Sequence, residues 1–74
     1  MVIKLSQAIE KKPYVIESVL GSDNVSIRLK ELGFVKGTKL FVNCYSAKQK
    51  SALVCLRGYC LCLKNTALAK VLVK

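Results

Sequence analysis

The stretch from Arg28 to Thr38, R-L-K-E-L-G-F-V-K-G-T, constrains the fold more than any other part of the chain. Val25, Leu29 and Leu32 stand at i, i+4 and i+7, the spacing of an apolar stripe along a short amphipathic helix. Gly33 comes at once after them, where helices commonly stop in a left-handed conformation that glycine adopts without a Cβ clash. Phe34 and Val35 lead to a Lys36-Gly37 turn, and Thr38 opens a strand. Helix, stop, turn and strand entry are thus packed into one short run. The residues before this run lead up to it, and those after it read as β-structure folding back over it.

Upstream, Leu5 to Ile9 can form one helical turn with Leu5 and Ile9 four apart and Ser6 as a local cap. Pro13 ends that turn, because the residue before proline is pushed towards extended geometry. Tyr14 to Leu20 is β-branched and aromatic and predicts a strand. Gly21 to Asn24 is a turn cluster in which Asp23 or Ser22 is a natural N-cap for the central helix.

From Thr38 the period changes to two. Leu40 and Val42 alternate with Lys39, Phe41 and Asn43 in a half-buried strand to about Ala47, and a polar loop runs from Ser46 to Ser51. Ala52 to Leu56 and Tyr59 to Leu63 flank Arg57-Gly58, a hairpin signal. Asn65 to Ala69 suits a one-turn helix, and Val71 to Val73 a last short strand. The fold class is therefore mainly β: about five short strands, one short helix and one or two helical turns in a small barrel, since closing a sheet removes its exposed edges. Residues 1–74 read as a single domain.

A hydrophobic fraction of 53% argues against disorder. No apolar run reaches the ~18 residues of a membrane span, and the N-terminus lacks the h-region of a secretory signal, so membrane insertion is not expected and a cytoplasmic location is the default. Thirteen Lys and Arg against four Asp and Glu give a net charge of +9, which reads either as an acidic partner (nucleic acid, an anionic membrane surface or an acidic protein face) or plainly as solubility. The cations are spread along the chain, with only Lys11 and Lys12 adjacent, whereas nucleic-acid binders cluster them. Nucleic acid is the less favoured partner.

If Arg57-Gly58 is a two-residue turn, Cys55 pairs with Cys60 and Leu53 with Cys62. Alternation then puts Val54, Leu56, Tyr59, Leu61 and Leu63 on the core face and Cys55, Cys60 and Cys62 on the other. Those three are weak candidates for a thiolate metal site. There is no C-x-x-C and no histidine to complete one, and reduced cysteines in a cytosolic protein serve as small hydrophobes. Cys44, on another strand, is expected in packing. An apolar outer face on the hairpin suggests cover by the N-terminal turn, a second subunit or a partner.

Catalysis finds no constellation: no histidine, four scattered carboxylates and no phosphate-binding glycine loop. The chain is not expected to be an enzyme. Arg28, Lys30 and Arg57 are candidate partner contacts beside the plainer reading of solvated helix and turn residues. Tyr45 and Tyr59, with Tyr14, could line a peptide groove or belong to the core rim.

The string R-L-x-E-L-G-F-V-x-G-T resembles the signature of the FeoA family of bacterial ferrous iron transport. Leu56-Arg57-Gly58-Tyr59 with Leu61, Leu63, Ala67, Ala69 and Val71 is similar to the second half of that domain, and Leu5-Ser6 with Tyr14-Val15-Ile16 to its start. The sequence departs from the pattern at Lys36, where the family commonly has proline, and in the Ser46–Ser51 loop, which lacks a Gly-Asp-Pro-like turn. The resemblance implies an SH3-like barrel with the helix packed on it. It also implies a non-catalytic cytosolic accessory protein that docks to the GTPase domain of a FeoB-type membrane iron transporter. Leu29, Leu32, Gly33, Gly37, Thr38 and Gly58 match the family motif in structural positions. No cofactor is expected, ligand spacing gives no support to direct contact with ferrous iron, and a homo-oligomer stays open. The alternatives are a basic barrel that binds nucleic acid and a thiolate metal-binding protein.

Overall fold

The computed structural model describes residues 1–74. Six antiparallel strands run in the order β1-β6-β2-β3-β4-β5: β1 (Ile3–Lys4), β2 (Tyr14–Val19), β3 (Lys39–Ser46), β4 (Ser51–Leu56), β5 (Tyr59–Lys64) and β6 (Val71–Val73). A 3-10 turn spans Leu5–Gln7, helix α1 spans Asn24–Glu31 and the one-turn helix α2 spans Asn65–Leu68. The strand that hydropathy does not foresee is β1, two residues with no alternation of their own that pair Ile3 with Val73. Register breaks at Glu17 in β2 and Asn43 in β3 bend the sheet into a roll. The ladder does not rejoin itself, so β1 and β5 remain its two edges.

The apolar face of each strand points into one cluster, with Phe34, Leu5, Ile16, Leu29, Leu68, Val42, Val54, Val71 and Val73 fully or almost fully buried. Leu5 and Ala8 reach it from the N-terminal segment, whereas Ile9 is exposed. The turn is tighter than the expected i, i+4 pair because a 3-10 geometry brings every third residue to one side. Its first amide is met by Gln7, whose Oε1 accepts from the Lys4 N–H at 3.3 Å, and Ser6 plays no capping part.

The central stretch behaves as its sequence dictates. Asp23 caps α1, its Oδ1 accepting from the Ser26 N–H at 3.0 Å. At the other end Phe34 N–H donates to the Leu29 carbonyl at 3.0 Å and Gly33 N–H to the Lys30 carbonyl at 3.1 Å, with Gly33 at φ +106°. These two bonds are the Schellman stop, and its accompanying hydrophobic contact joins Phe34 and Leu29 in the core. Thr38 N–H donates to the Val35 carbonyl across the Lys36-Gly37 turn, with φ +91° at Gly37.

The helix stripe differs from the expected one at its start. Val25 is exposed and Ser26 is buried in its place, one residue on, with its hydroxyl donating to the Leu20 carbonyl at 2.5 Å. Burying a hydroxyl is tolerable only when it is bonded, and the turn ahead of the helix supplies the acceptor.

Candidate functional site

The hairpin β4–β5 has the register expected of a two-residue turn, with Leu56 opposite Tyr59, Cys55 opposite Cys60 and Leu53 opposite Cys62. Arg57 and Gly58 take φ +51° and +87°, so both central residues are left-handed as a type I′ turn requires. The turn folds towards the end of α1. A Cβ added at Gly33 would lie 3.1 Å from the Arg57 Cδ, so the Arg57 side chain crosses the bare glycine backbone. The Tyr59 hydroxyl donates to the Leu32 carbonyl, one of the acceptors a helix end leaves without an internal partner. A guanidinium beside that terminus also suits the negative end of the helix dipole.

Two of the expected core residues of β5 sit differently. Tyr59 is 40% exposed and Leu61 is half-buried, whereas Leu63 is buried. The reason is position: β5 is an edge strand whose turn-proximal end has only the helix terminus beside it. Among the candidate partner contacts, Arg28, Lys30, Arg57 and Tyr59 are all exposed on α1 and the adjoining turn. Tyr45 belongs elsewhere. Its hydroxyl binds the Ala8 and Leu5 carbonyls at 2.7 and 3.0 Å, which ties the 3-10 turn to β3. Burial, then the neighbouring Tyr14 and Glu10, push the Tyr45 phenol above its ordinary pKa.

Two open grooves flank this region. The first, about 420 Å³, lies over the outer face of the sheet between Pro13, Lys39, Phe41 and the turn residues Arg57 to Cys60. The second, about 490 Å³, runs between α1 and the β5–α2 corner, lined by Val25, Ile27, Arg28, Leu32, Leu63 and Ala67 among others. Helical periodicity does not reveal this second groove, because it assigns Val25 to the buried stripe and is silent on Ile27.

The cysteines depart from the expectation of three outward thiols. Cys55 and Cys60 are joined in a disulfide across the hairpin, and the bond leaves Cys55 buried. Cys62 is a free, exposed thiol, and so is Cys44, which does not pack as expected. The extra residue at Asn43 turns Cys44 outward, opposite Leu53. Cys44 and Cys62 therefore flank Leu53 from two strands away, about 10 Å between backbones, too far for two sulfurs to bind one ion at thiolate distances. No group of three or more His, Cys, Asp or Glu side chains is placed to hold a metal.

Two carboxylates are held charged. Asp23, hydrogen-bonded first by Lys70 at 2.7 Å and then by Ser26, has its pKa lowered to about 2. Glu17 is lowered as well, chiefly by Lys74 at 2.9 Å and less by Lys36 at 3.8 Å. Both are structural pairs at chain junctions. No helix is long and apolar enough to cross a membrane.

The fold is shared with solved structures. An FeoA-like protein from Clostridium acetobutylicum superposes with a TM-score of 0.88 at 22% identity, covering 99% of this chain and 85% of that one. The Chlorobium tepidum FeoA protein gives 0.84 at 27% identity, covering 96% and 68%. The Stenotrophomonas maltophilia FeoA, solved with zinc and described as a prokaryotic SH3 domain protein, gives 0.86 at 28% identity, covering 97% and 89%. The SH3-like fold is thereby shown, with its sheet rolled but its ladder left open between β1 and β5. No curated protein matches the chain. The family model of the FeoA domain, however, matches residues 3–74, which takes in the glycine-stopped helix, the Lys36-Gly37 turn and the hairpin docked upon them. The chain therefore belongs to the FeoA family, the proteins associated with ferrous iron transport.

Proposed function

We propose that this chain is a non-catalytic, cytoplasmic accessory protein that acts by docking to the GTPase domain of a FeoB-type ferrous iron transporter. The observation that carries this reading is the surface along α1 and the adjoining hairpin turn. Arg28, Lys30 and Arg57 are exposed there beside the half-covered apolar residues Val25, Ile27 and Tyr59, on a chain of net charge +9. A cationic rim around apolar contact area suits an acidic protein face and speeds encounter with it.

The test is calorimetric titration of the purified chain into the purified GTPase domain of a FeoB-type transporter from the same organism. Saturable binding that weakens as salt rises is the expected result. No binding at low salt, together with salt-sensitive retention on a phosphate-bearing resin, transfers the surface to nucleic acid.

A further inference from the structure

Strand β5 has one hydrogen-bonded neighbour, β4, and its other side is free. The residues flanking a two-residue turn exchange their backbone bonds, so Tyr59, Leu61 and Leu63 bond to β4. By the same alternation the N–H and C=O of Cys60 and Cys62 point away from the sheet. No turn, cap or side-chain bond in the molecule uses them. The usual guards of an exposed edge are missing. β5 has no proline, no bulge and no charge before Lys64. On the core side of this edge lies the groove to α1, with Val25, Ile27, Leu32, Leu63 and Ala67 along it. One wall of the groove is α1 and its C-cap, from Val25 to Leu32, and the other is Leu63 of β5 with Ala67 of α2.

We propose that this edge and groove form a docking site for an extended acidic segment of a partner protein, which joins the sheet as a strand beside β5. Its backbone completes the bonds of Cys60 and Cys62. Alternate side chains enter the apolar groove, and those between them face outward. The charges choose the occupant. Arg57 and Lys64 stand at the two ends of β5 and Arg28 lines the groove, against the single carboxylate of Glu31. A second copy would bring Lys64 of each chain towards the turn end of the other, between two bodies of charge +9, whereas an acidic strand meets opposite charge throughout. The identity of the partner rests on the docking reading above; the site itself does not.

Cys62→Pro tests the site. It deletes an N–H that β4 does not use, and an edge strand tolerates proline on that side. Cys62→Ala keeps the N–H and serves as the control. Binding of the transporter GTPase domain is measured for both, and amide hydrogen exchange is read on the unmodified chain with that domain and with a decapeptide of alternating Val and Glu. Expected are slowed exchange at Cys60 and Cys62, a loss of about tenfold or more in affinity for Cys62→Pro, and Cys62→Ala within about twofold of the parent. Domain binding with no protection at these amides overturns the edge site and leaves the docking reading standing. Protection by the decapeptide without binding of the domain does the reverse. Protection by neither ligand overturns the site, and so does protection that grows with protein concentration alone, which would assign the edge to a second copy. If Cys62→Pro fails to fold, the exchange measurement decides by itself.

Discussion

Replacing Gly33 with alanine puts a Cβ on a residue held at φ +106°, beyond the left-handed basin that side chains tolerate. Backbone strain of this kind costs about 1–3 kcal/mol. Restricting the unfolded chain recovers about 0.4–1 kcal/mol of it. The new Cβ would also sit 3.1 Å from the Arg57 Cδ. That neighbour is an exposed flexible side chain that can swing aside, so the contact should add less than ~0.5 kcal/mol. The net expectation is a loss of about 1–2 kcal/mol. A chain of this size has about 4–11 kcal/mol in all, so Gly33→Ala should fold with Tm lowered by roughly 5–15 °C. Urea unfolding of Gly33→Ala, Arg57→Ala and the double variant measures both parts. A coupling below ~0.5 kcal/mol is expected. A loss under ~0.5 kcal/mol would refute the backbone account, and a coupling as large as the whole loss would move the cause to the hairpin contact.

Asp23, with its pKa lowered to about 2, contributes stability that is fully present above its unfolded value of 3.8 and disappears as pH falls through 2. Asp23→Asn should therefore flatten the acid side of a Tm–pH curve below about pH 4, leaving a smaller slope from Glu17, whose pKa is lowered too. Tyr45→Phe removes the hydroxyl that binds Ala8 and Leu5, and should cost about 1 kcal/mol in urea unfolding and speed hydrogen exchange in the N-terminal segment. Reducing the Cys55–Cys60 disulfide opens a very short loop, for which chain entropy predicts a loss of about 2 kcal/mol, readable as a shift in urea midpoint with and without reductant.

The parts legible in the sequence are those fixed by neighbours a few residues apart. The Gly33 stop, the Lys36-Gly37 turn and the Asp23 cap rest on bonds that close within six residues, and the hairpin register follows from its two-residue turn. What stayed hidden depends on distant chain. β1 exists because β6 arrives beside it, and two residues alone carry no pattern. Ser26 is buried because the Leu20 carbonyl waits for it, a fact no hydropathy period contains. The outward turn of Cys44 comes from one unpaired residue in β3. For the site, the sequence supplied the residue types Arg28, Arg57 and Tyr59 but placed Tyr45 with them, since an amphipathic ring gives no hint of which carbonyl it will bind. The free edge of β5 was likewise out of reach, because strand order is a property of the assembled sheet.

The placement of β6 has a consequence for how the molecule is made. Val71–Val73 is the last strand in the chain, yet it is wedged between β1 and β2, whose mates are otherwise missing on that side. A nascent polypeptide leaving the ribosome can build the β3–β4–β5 meander early, from contacts close in sequence. The opposite half must wait, its strands exposed, until the wedge emerges and joins them.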